Sequence, residues 1–454
     1  MAKKKQIELT IEEKLQNALV PKEEQPYKIP SNWCWLYSNF VVDVRDGTHD
    51  TPKYISEGYP LITSKNLKNN NIDFDKVNYI SKEDYEKINL RSKVDIGDVL
   101  FSMIGTIGNP VLIKGQTNYA IKNVALFKDI NLINMTFFRF YLETKFVIDK
   151  MKKEAKGSTQ KFVSLKYLRN FPICYPSLEE QQRIVNIIES LFTKLDRAKE
   201  LIENTLAQFE QNKMAILHKA FTGELTAKWR KENNIDLSSW QEKTIDELCT
   251  SLKYGTSKKS NPEGSVVVLR MGNLQNGEID WSNLMYTDDK DDIEKYLLKK
   301  GDVLFNRTNS PELVGKTSIY RGEYPAIYAG YLIKLDYGKD IIGEYLNYMM
   351  NSTKAKHYCY TVKTDGVSQS NINAKKIGAF EIPVPTIEEQ QEIVNILDNL
   401  LAKYNKIKNL EQQLEKIELL KKAILAKAFR GELGTNNPDE ESAENLLKEI
   451  LAEK

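Results

Sequence analysis

Residues that commonly carry catalysis are sparse and scattered in this sequence. It contains three histidines, His49, His218 and His357, and none has a metal-binding side chain three or four residues after it. The segment 315–317 imitates a phosphate-binding loop, but Ser310 stands where that motif requires glycine. A nucleophile-elbow serine, the acidic-proline-proline-aromatic tetrad of methyltransferases and a nuclease-like cluster of acids with a lysine are also missing. We therefore expect no catalytic residue, no cofactor-binding residue and no metal ligand in this chain.

Polar and basic residues in predicted loops are better suited to contacting nucleic acid. Segment 255–259 combines glycine, hydroxyl and lysine residues, which hold phosphates through backbone N–H groups, hydroxyls and cations. Segment 306–309 is richer, because arginine can bond guanine O6 and N7 in pairs and asparagine can bond adenine N6 and N7. For any one of these residues, an ordinary solvated loop explains the sequence about as well. The candidate DNA contacts are Thr48, His49, Lys65, Asn66, Ser102, Thr106, Gln160, Lys161, Thr256, Lys258, Lys259, Arg270, Asn273, Asn306, Arg307, Thr308, Asn309 and Gln369.

The loops belong to a chain that repeats itself, most clearly in segments 171–225 and 380–433. Both copies begin with a proline and a Glu-Glu-Gln-Gln run, and both end in Lys-Ala-Phe-x-Gly-Glu-Leu. Between these motifs apolar residues recur about every 3.5 residues, over 184–216 and 393–424, which predicts a coiled-coil seam on two long helices. At about 1.5 Å per residue each helix would be on the order of 65 Å long. The simplest partner for each helix is the other copy, and we expect the two to pair antiparallel.

The starts of both long helices carry capping signals. Ser177 and Thr386 follow the proline and are predicted N-caps, with Glu180 and Glu389 three residues later. Glutamates in a first turn also favour the positive end of the helix dipole. We therefore interpret the Glu-Glu-Gln-Gln runs as structural.

Two globular regions, 30–176 and 239–385, are weaker repeats of each other, each of 147 residues. Short β-branched and aromatic runs between Gly, Asn and Asp turns predict mixed α/β structure in both. Each contains Gly-Asp-Val-Leu-Phe, but the next residues are Ser-Met-Ile-Gly-Thr in the first region and Asn-Arg-Thr-Asn-Ser in the second. One scaffold with two loop sets suits two different ligands, although drift after duplication explains the difference equally well.

Composition favours a soluble protein. Of 454 residues 28% are charged and 41% hydrophobic, and the net charge of +2 argues against a wholly basic nucleic-acid coat while allowing local basic faces. The four cysteines are scattered without a CxxC motif, which suits a reducing cytoplasm. No apolar run follows the lysines at 3–5, so we expect a cytoplasmic protein without signal peptide or membrane span.

The predicted fold class is α/β in the mixed α+β sense. Two similar α/β domains are separated by two long antiparallel coiled-coil helices, as a pseudo-two-fold internal repeat. The predicted segments are an N-terminal arm (1–29), a first domain (30–176), a first long helix (177–222), a connector (223–238), a second domain (239–385), a second long helix (386–430) and an acidic C-terminal tail with a short helix (431–454).

This doubled order of globule and helix resembles the DNA specificity subunit of Type I restriction–modification enzymes. The resemblance spans nearly the whole chain. It is carried by the starts and ends of the helices, by the Gly-Asp-Val-Leu-Phe strands, and by segments 46–52 and 306–316.

The resemblance implies that each globular region is a target-recognition domain reading one half of a split site in double-stranded DNA. The helices would hold the domains apart and set the spacer between the half-sites. Two modification subunits, which bind S-adenosylmethionine and methylate adenine, would grip this frame, and restriction subunits would join for cleavage. The chain itself would be a non-catalytic subunit without a cofactor.

Three other interpretations stay open. A coiled-coil adaptor or scaffold that does not bind DNA would not need basic and amide side chains in the divergent loops. A nuclease or methyltransferase would require the motifs that are missing. A recognition module separated from a fused restriction–methylation enzyme would require a catalytic segment before residue 30, and the arm is too short for one.

Overall fold

A computed structural model gives the structure, which describes residues 10–157, 161–405 and 408–453. The chain forms two compact units. Unit 1 consists of Met1–Leu201 and Gln412–Lys454, and unit 2 of Ile202–Glu411. Among the described residues no helix is both long and apolar enough to cross a membrane.

The part of unit 1 that precedes the long helix mixes short helices with short strands. The helices are α1 (Ile11–Ala18), α2 (Ser38–Val41), α3 (Lys82–Ser92), α4 (Met135–Glu143), α5 (Lys145–Glu154) and α6 (Leu165–Arg169). The strands are β1 (Cys34–Tyr37), β2 (Val42–Asp46), β3 (Tyr59–Ile62), β4 (Leu67–Lys68), β5 (Asn71–Ile72), β6 (Asn78–Ile80), β7 (Val99–Ser102), β8 (Gly108–Leu112), β9 (Ala120–Ile121), β10 (Val124–Asp129) and β11 (Pro172–Tyr175). The predicted first long helix is present as α7 (Leu178–Phe221), which begins in unit 1 and ends in unit 2.

Unit 2 repeats this mixture after α7. Its short helices are α8 (Ala227–Glu232), α9 (Ile245–Leu248), α10 (Lys290–Tyr296), α11 (Gly343–Met350), α12 (Thr353–Val362) and α13 (Ala374–Gly378). Its strands are β12 (Gln241–Thr244), β13 (Cys249–Tyr254), β14 (Val266–Leu269), β15 (Leu274–Gln275), β16 (Glu278–Ile279), β17 (Tyr286–Thr287), β18 (Val303–Asn306), β19 (Thr308–Asn309), β20 (Thr317–Ile319), β21 (Ala326–Tyr328), β22 (Leu332–Tyr337), β23 (Thr364–Asp365), β24 (Ser370–Asn371) and β25 (Glu381–Val384). The second helical copy contains α14 (Ile387–Asn405) and α15 (Lys408–Ala428), and α16 (Ala443–Glu453) follows it. Residues 406–407, which fall within the predicted seam at 393–424, lie outside the described residues.

Equivalent sheets appear in both units. The central sheet has strand order β2-β10-β7-β8 in unit 1 and β13-β22-β18-β20 in unit 2. A second sheet of order β6-β3-β9 is matched by β17-β14-β21, the pair β1-β11 by β12-β25, and the hairpin β4-β5 by β15-β16. The fold is therefore an internal repeat of mixed α/β domains, as the sequence predicts.

The shared Gly-Asp-Val-Leu-Phe motif forms a fully buried strand in each central sheet. In β7, Val99 and Phe101 face the largest core cluster of unit 1, while Leu100 faces a smaller cluster on the other side of the sheet. In β18, Val303 and Phe305 are separated from Leu304 in the same way. Because successive side chains of a strand point to opposite faces, a strand covered on both faces needs an unbroken apolar run.

The start of each long helix packs beside the end of the other long helix. The core of unit 1 includes residues from the first turns of α7, from the last turns of α15 and from the position directly after α15. They are Ile184, Val185, Ile188, Leu425, Ala428 and Phe429. The core of unit 2 takes the last turns of α7 and the first turns of α14, contributing Leu217, Ala220, Phe221, Ile393, Val394 and Leu397. Since start lies beside end in both units, the helices pair antiparallel, as predicted.

The seam predicted over 393–424 includes Leu420 among its apolar positions, and this position is wrong. Leu420 is 49% exposed, while Ile417 and Leu425 are buried. Lys421 takes the intermediate place, because its ammonium lies over the Phe192 ring, 5.2 Å from the centroid. Near its end α15 thus advances its buried stripe in four-residue steps, which turns Leu420 away from the core.

The predicted N-caps are confirmed, but the glutamates of these helix starts bind elsewhere. Ser177 Oγ accepts the N–H of Glu180 at 3.2 Å, and Thr386 Oγ1 accepts that of Glu389 at 3.3 Å. The Glu180 carboxylate, however, accepts from Thr435 Oγ1 at 2.5 Å and not from the cap backbone. Burial raises the pKa of Glu180 above its ordinary value.

In unit 2 the corresponding carboxylate fixes the chain that follows α7. Glu389 Oε1 lies 2.5 Å from Arg230 Nη1 and accepts from Thr226 Oγ1 at 2.6 Å. Glu389 Oε2 accepts from the Trp240 indole N–H at 2.9 Å. The side chains of Glu389 and Arg230 are 0% and 9% exposed. The second glutamate of the run is therefore a buried anchor, a role that its place in the first turn did not predict.

The first glutamine of each run attaches the helix to its globular domain. Gln181 Oε1 accepts the N–H of Asn134 at 2.8 Å, and Gln390 Oε1 accepts the N–H of Ile342 at the same distance. Both glutamines are fully buried. The repeated run thus fixes the start of each long helix to the globular domain that precedes it, and it has a structural role in both copies.

Candidate nucleic-acid interface

The predicted DNA contacts that follow strands β2 and β7 of unit 1 lie together at one end of the central sheet. Both β2 and β7 pair antiparallel with β10, and their last residues, Asp46 and Ser102, lie opposite consecutive residues at its start. The loops that follow carry Thr48, His49 and Thr106. Because β2 and β7 run in the same direction, these loops leave the sheet at the same end of its strands.

Unit 2 repeats this geometry. The last residues of β13 and β18, Tyr254 and Asn306, lie opposite consecutive residues at the start of β22. The loop after β13 carries Thr256, Lys258 and Lys259, and the loop after β18 carries the Arg-Thr-Asn segment. The two units therefore present different side chains at the same end of the same sheet.

A glycine fixes the first of these loops in both units. A Cβ on Gly47 would lie 2.3 Å from the carbonyl oxygen of Ile121, and one on Gly255 would lie 2.1 Å from that of Tyr328. In each copy the following threonine donates its N–H to the same carbonyl, at 3.0 and 2.9 Å. Such an approach of two backbones admits only glycine.

His49 is exposed and its ring is held on both sides. Its Nε2 lies 3.0 Å from Asp46 Oδ2, and its Nδ1 lies 3.0 Å from Asn123 Oδ1. Asp46 also pairs with Arg91. The imidazole is thus positioned at the end of the sheet, beside the Asp46 carboxylate, whose charge Arg91 compensates.

The loop after β7 lies against a second predicted segment. Gly105 donates its N–H to the carbonyl of Lys161 at 2.9 Å, which brings Thr106 and Lys161 together, both exposed. Gln160 lies outside the described residues. Ser102, by contrast, is fully buried, so it does not face solvent in this structure.

Ser102 and its counterpart Asn306 share an unusual property. Each ends the equivalent strand, is fully buried, and leaves one polar atom, Ser102 Oγ or Asn306 Nδ2, without a hydrogen-bond partner among the described residues. As direct DNA contacts both remain predictions, and burial does not favour them. Their position at the strand ends suits a role in supporting the loop that follows each strand.

The side chains of two further candidates, Asn66 and Asn273, point into the protein. Asn66 donates to two backbone carbonyls at 3.0 and 3.3 Å, and Asn273 to two at 2.9 and 3.1 Å. Both are buried and hold their own loops. The neighbouring cations differ, since Lys65 is exposed while Arg270 is half-buried and donates to the Asn283 carbonyl at 2.8 Å. Of these four residues, Lys65 is the exposed one.

The two lysines after β13 have different surroundings. Lys258 Nζ lies 2.7 Å from Asp289 and 3.4 Å from Asp292, and the hydrogen bond to Asp289 raises the pKa of Lys258 above its ordinary value. Thr256 is buried and bonds Asp292. Lys259 is exposed and has no ion-pair partner in the described part of the chain. Of the two lysines, Lys259 is thus the one whose charge is uncompensated among the described residues.

The Arg307 side chain is held in place at the end of the central sheet of unit 2. Its guanidinium carbon lies 4.9 Å from the centroid of the Tyr254 ring. Nη1 donates to the Gly330 carbonyl at 3.3 Å, and Nη2 donates to Asn371 Oδ1 at 3.2 Å. Asn371 in turn donates to Thr308 Oγ1 at 2.8 Å. A guanidinium fixed in this way loses little entropy when it meets a planar acceptor.

The remaining candidates of unit 2 lie on the small sheet β19-β24-β23 or in the turn that joins β23 and β24. Asn309 is half-buried and accepts the N–H of Ser310 at 2.8 Å, while Gln369 is exposed and its carbonyl accepts the N–H of Gly366 at 2.8 Å. Sequence reasoning missed Tyr254 and Asn371. The position of Tyr254, directly before the glycine of the sheet-edge loop, was the available signal.

Among the described residues no three His, Cys, Asp or Glu side chains are grouped so that they could hold a metal ion.

Comparison with known proteins shows to which family the chain belongs. The family described as "Type I restriction modification DNA specificity domain" matches residues 47–208 and 238–419, which is most of the chain. The chain belongs to this family. Among its relatives is the Type I restriction enzyme EcoKI specificity subunit of Escherichia coli strain K12, 25% identical over 453 residues, covering 94% of this chain and 96% of the relative.

Solved structures share the family fold. A chain from a study of the assembly and conformational transition of the type I R-M system has a TM-score of 0.68 at 20% identity, covering 90% of this chain and 100% of that one. The HsdS subunit from Thermoanaerobacter tengcongensis has a TM-score of 0.50 at 19% identity, with the same coverage. The doubled domain order of this family member is thus also found in solved proteins.

Proposed function

We propose that this chain is the DNA specificity subunit of a Type I restriction–modification complex and that each globular domain reads one half of a bipartite site. One observation carries the proposal: both units bring two polar loops to the same end of the same sheet, yet the side chains on those loops differ. A repeated frame with different loops suits two different half-sites. Membership of the DNA specificity family disfavours an adaptor that does not bind DNA.

The complex would divide its tasks among subunits. Two modification subunits would supply S-adenosylmethionine and methylate adenine, and restriction subunits would cleave, so this chain would bind DNA and carry no catalytic step. The long helices would set the spacer between the half-sites, since a helix rises by a fixed amount per residue. Such a complex would act in the cytoplasm.

Mapping of methylated adenines tests the proposal directly. The chain is expressed with its cognate modification subunit in a host that lacks other adenine methylation, and the genome is sequenced for N6-methyladenine. We expect one motif of two specific parts separated by a nonspecific spacer of constant length. An undivided motif, or methylation without sequence preference, would contradict the proposal.

The purified chain alone should bind no S-adenosylmethionine tightly and methylate nothing, because its sequence lacks the cofactor and catalytic motifs. Calorimetric titration of the isolated chain with the cofactor checks this. The complex with the modification subunit serves as the positive control. Stoichiometric binding to the isolated chain would show that the cofactor site is not confined to the partner.

Replacing Arg307 by alanine should cost about 1–3 kcal/mol of binding free energy and relax one base position, if its guanidinium reads guanine. Fluorescence anisotropy on duplexes varied at each position of the second half-site measures this. Arg307→Lys is the matched control, because it keeps the charge but loses the planar fork. An equal loss on specific and random DNA would assign Arg307 to a phosphate.

A further inference from the structure

A hairpin beside Arg307 presents one apolar side chain entirely to solvent. Strands β23 and β24 are joined by the turn 366–369, and Val367 in that turn is 110% exposed. Single exposed apolar residues are ordinary on protein surfaces. The position of this one distinguishes it, because the hairpin belongs to the candidate interface.

The 364–371 hairpin is anchored at its base. Strand β24 pairs antiparallel with β19, which carries Thr308 opposite Asn371. Ser370, fully buried, bonds the Asp365 carboxylate, and Lys363 Nζ lies 2.5 and 2.7 Å from the two carboxylate oxygens. The hydrogen bond from Lys363 lowers the pKa of Asp365 below its ordinary value. The hairpin carboxylate therefore stays ionised, but the Lys363 ammonium compensates its charge, so that it repels DNA little.

The same hairpin is tied to the Arg307 loop. The carbonyl of Arg307 accepts the N–H of Ile372 at 2.9 Å, and its guanidinium bonds Asn371. The tip of the hairpin reads Gly-Val-Ser-Gln and carries no charge. An uncharged tip with an exposed apolar side chain suits base edges, whereas phosphates would favour lysine or arginine.

We propose that the 364–371 hairpin enters the major groove and that Val367 contacts the methyl group of a thymine in the second half-site. This inference rests on the proposed function. The major groove admits a two-stranded β-ribbon, and the thymine C5-methyl is the apolar group that it displays. Arg307 and Val367 thus read one half-site from two segments that are hydrogen-bonded to each other.

Removing only the methyl group tests the contact. Each thymine on either strand of the mapped second half-site is replaced in turn by deoxyuridine, and binding of the complex with its modification subunits is measured. One replacement should weaken wild-type binding about fourfold, the factor expected for one buried methyl group. Val367→Ala should bind the parent duplex more weakly and no longer distinguish thymine from uracil at that position.

A matched control separates this contact from a general loss of apolar surface. Leu90→Ala removes another largely exposed apolar side chain, 88% exposed, from unit 1 and should retain the fourfold discrimination. A second half-site without an A·T pair, no effect of uracil at any position, or equal discrimination by wild type and Val367→Ala would each overturn the inference. Failure of the proposed function looks different, since bipartite methylation would then be absent for the wild type as well.

Discussion

Exchanging residues 239–385 for the same region of another family member should change one half of the methylated sequence and leave the other half intact. The exchanged region closes on itself, because its first and last strands, β12 and β25, pair antiparallel with Gln241 opposite Val384. Both ends of the insert therefore meet at one place in the fold. Each mismatched base pair typically costs about 1–3 kcal/mol, so a half-site of several pairs should switch completely.

The reciprocal exchange is the control. Region 30–176 is closed in the same way, by β1 and β11, with Cys34 opposite Tyr175. Exchanging it should change the other half of the methylated sequence, which adenine-methylation sequencing would detect. If either exchange altered both halves, the two domains would not read DNA independently.

Replacing Glu389 by alanine should destabilise unit 2 by about 3–5 kcal/mol, because it leaves the Arg230 guanidinium buried without its counter-charge. The hydroxyl of Thr226 and the indole N–H of Trp240 would lose their acceptors as well. Urea unfolding followed by circular dichroism measures the loss, and hydrogen exchange in α14 assigns it to unit 2.

The neighbouring residue is a matched control. Glu388→Ala removes the same type of side chain from an exposed position one residue earlier, so its effect should stay within about 0.5 kcal/mol. The double change Glu389→Gln with Arg230→Met removes both charges and should cost less than Glu389→Ala alone. Equal losses for positions 388 and 389 would show that the buried ion pair does not anchor the helix start.

The sequence by itself determined the architecture of this protein. The repeated motifs, the 3.5-residue apolar spacing, the N-caps at Ser177 and Thr386 and the apolar strand after Gly-Asp are local or periodic patterns. Such patterns follow from helix and strand geometry, which depends on neighbours along the chain. They sufficed for the long helices, the doubled α/β domain and the resemblance to the specificity family.

Only the tertiary structure decided how the interface is assembled and what anchors the helices. Tyr254 lies under Arg307, and Glu389 holds Arg230, through contacts between residues far apart in the chain. The inward turn of Asn66 likewise follows from the carbonyls around it. Residue type shows that an asparagine or glutamate can form hydrogen bonds, but burial and the surrounding partners decide whether it binds the protein or remains accessible to DNA.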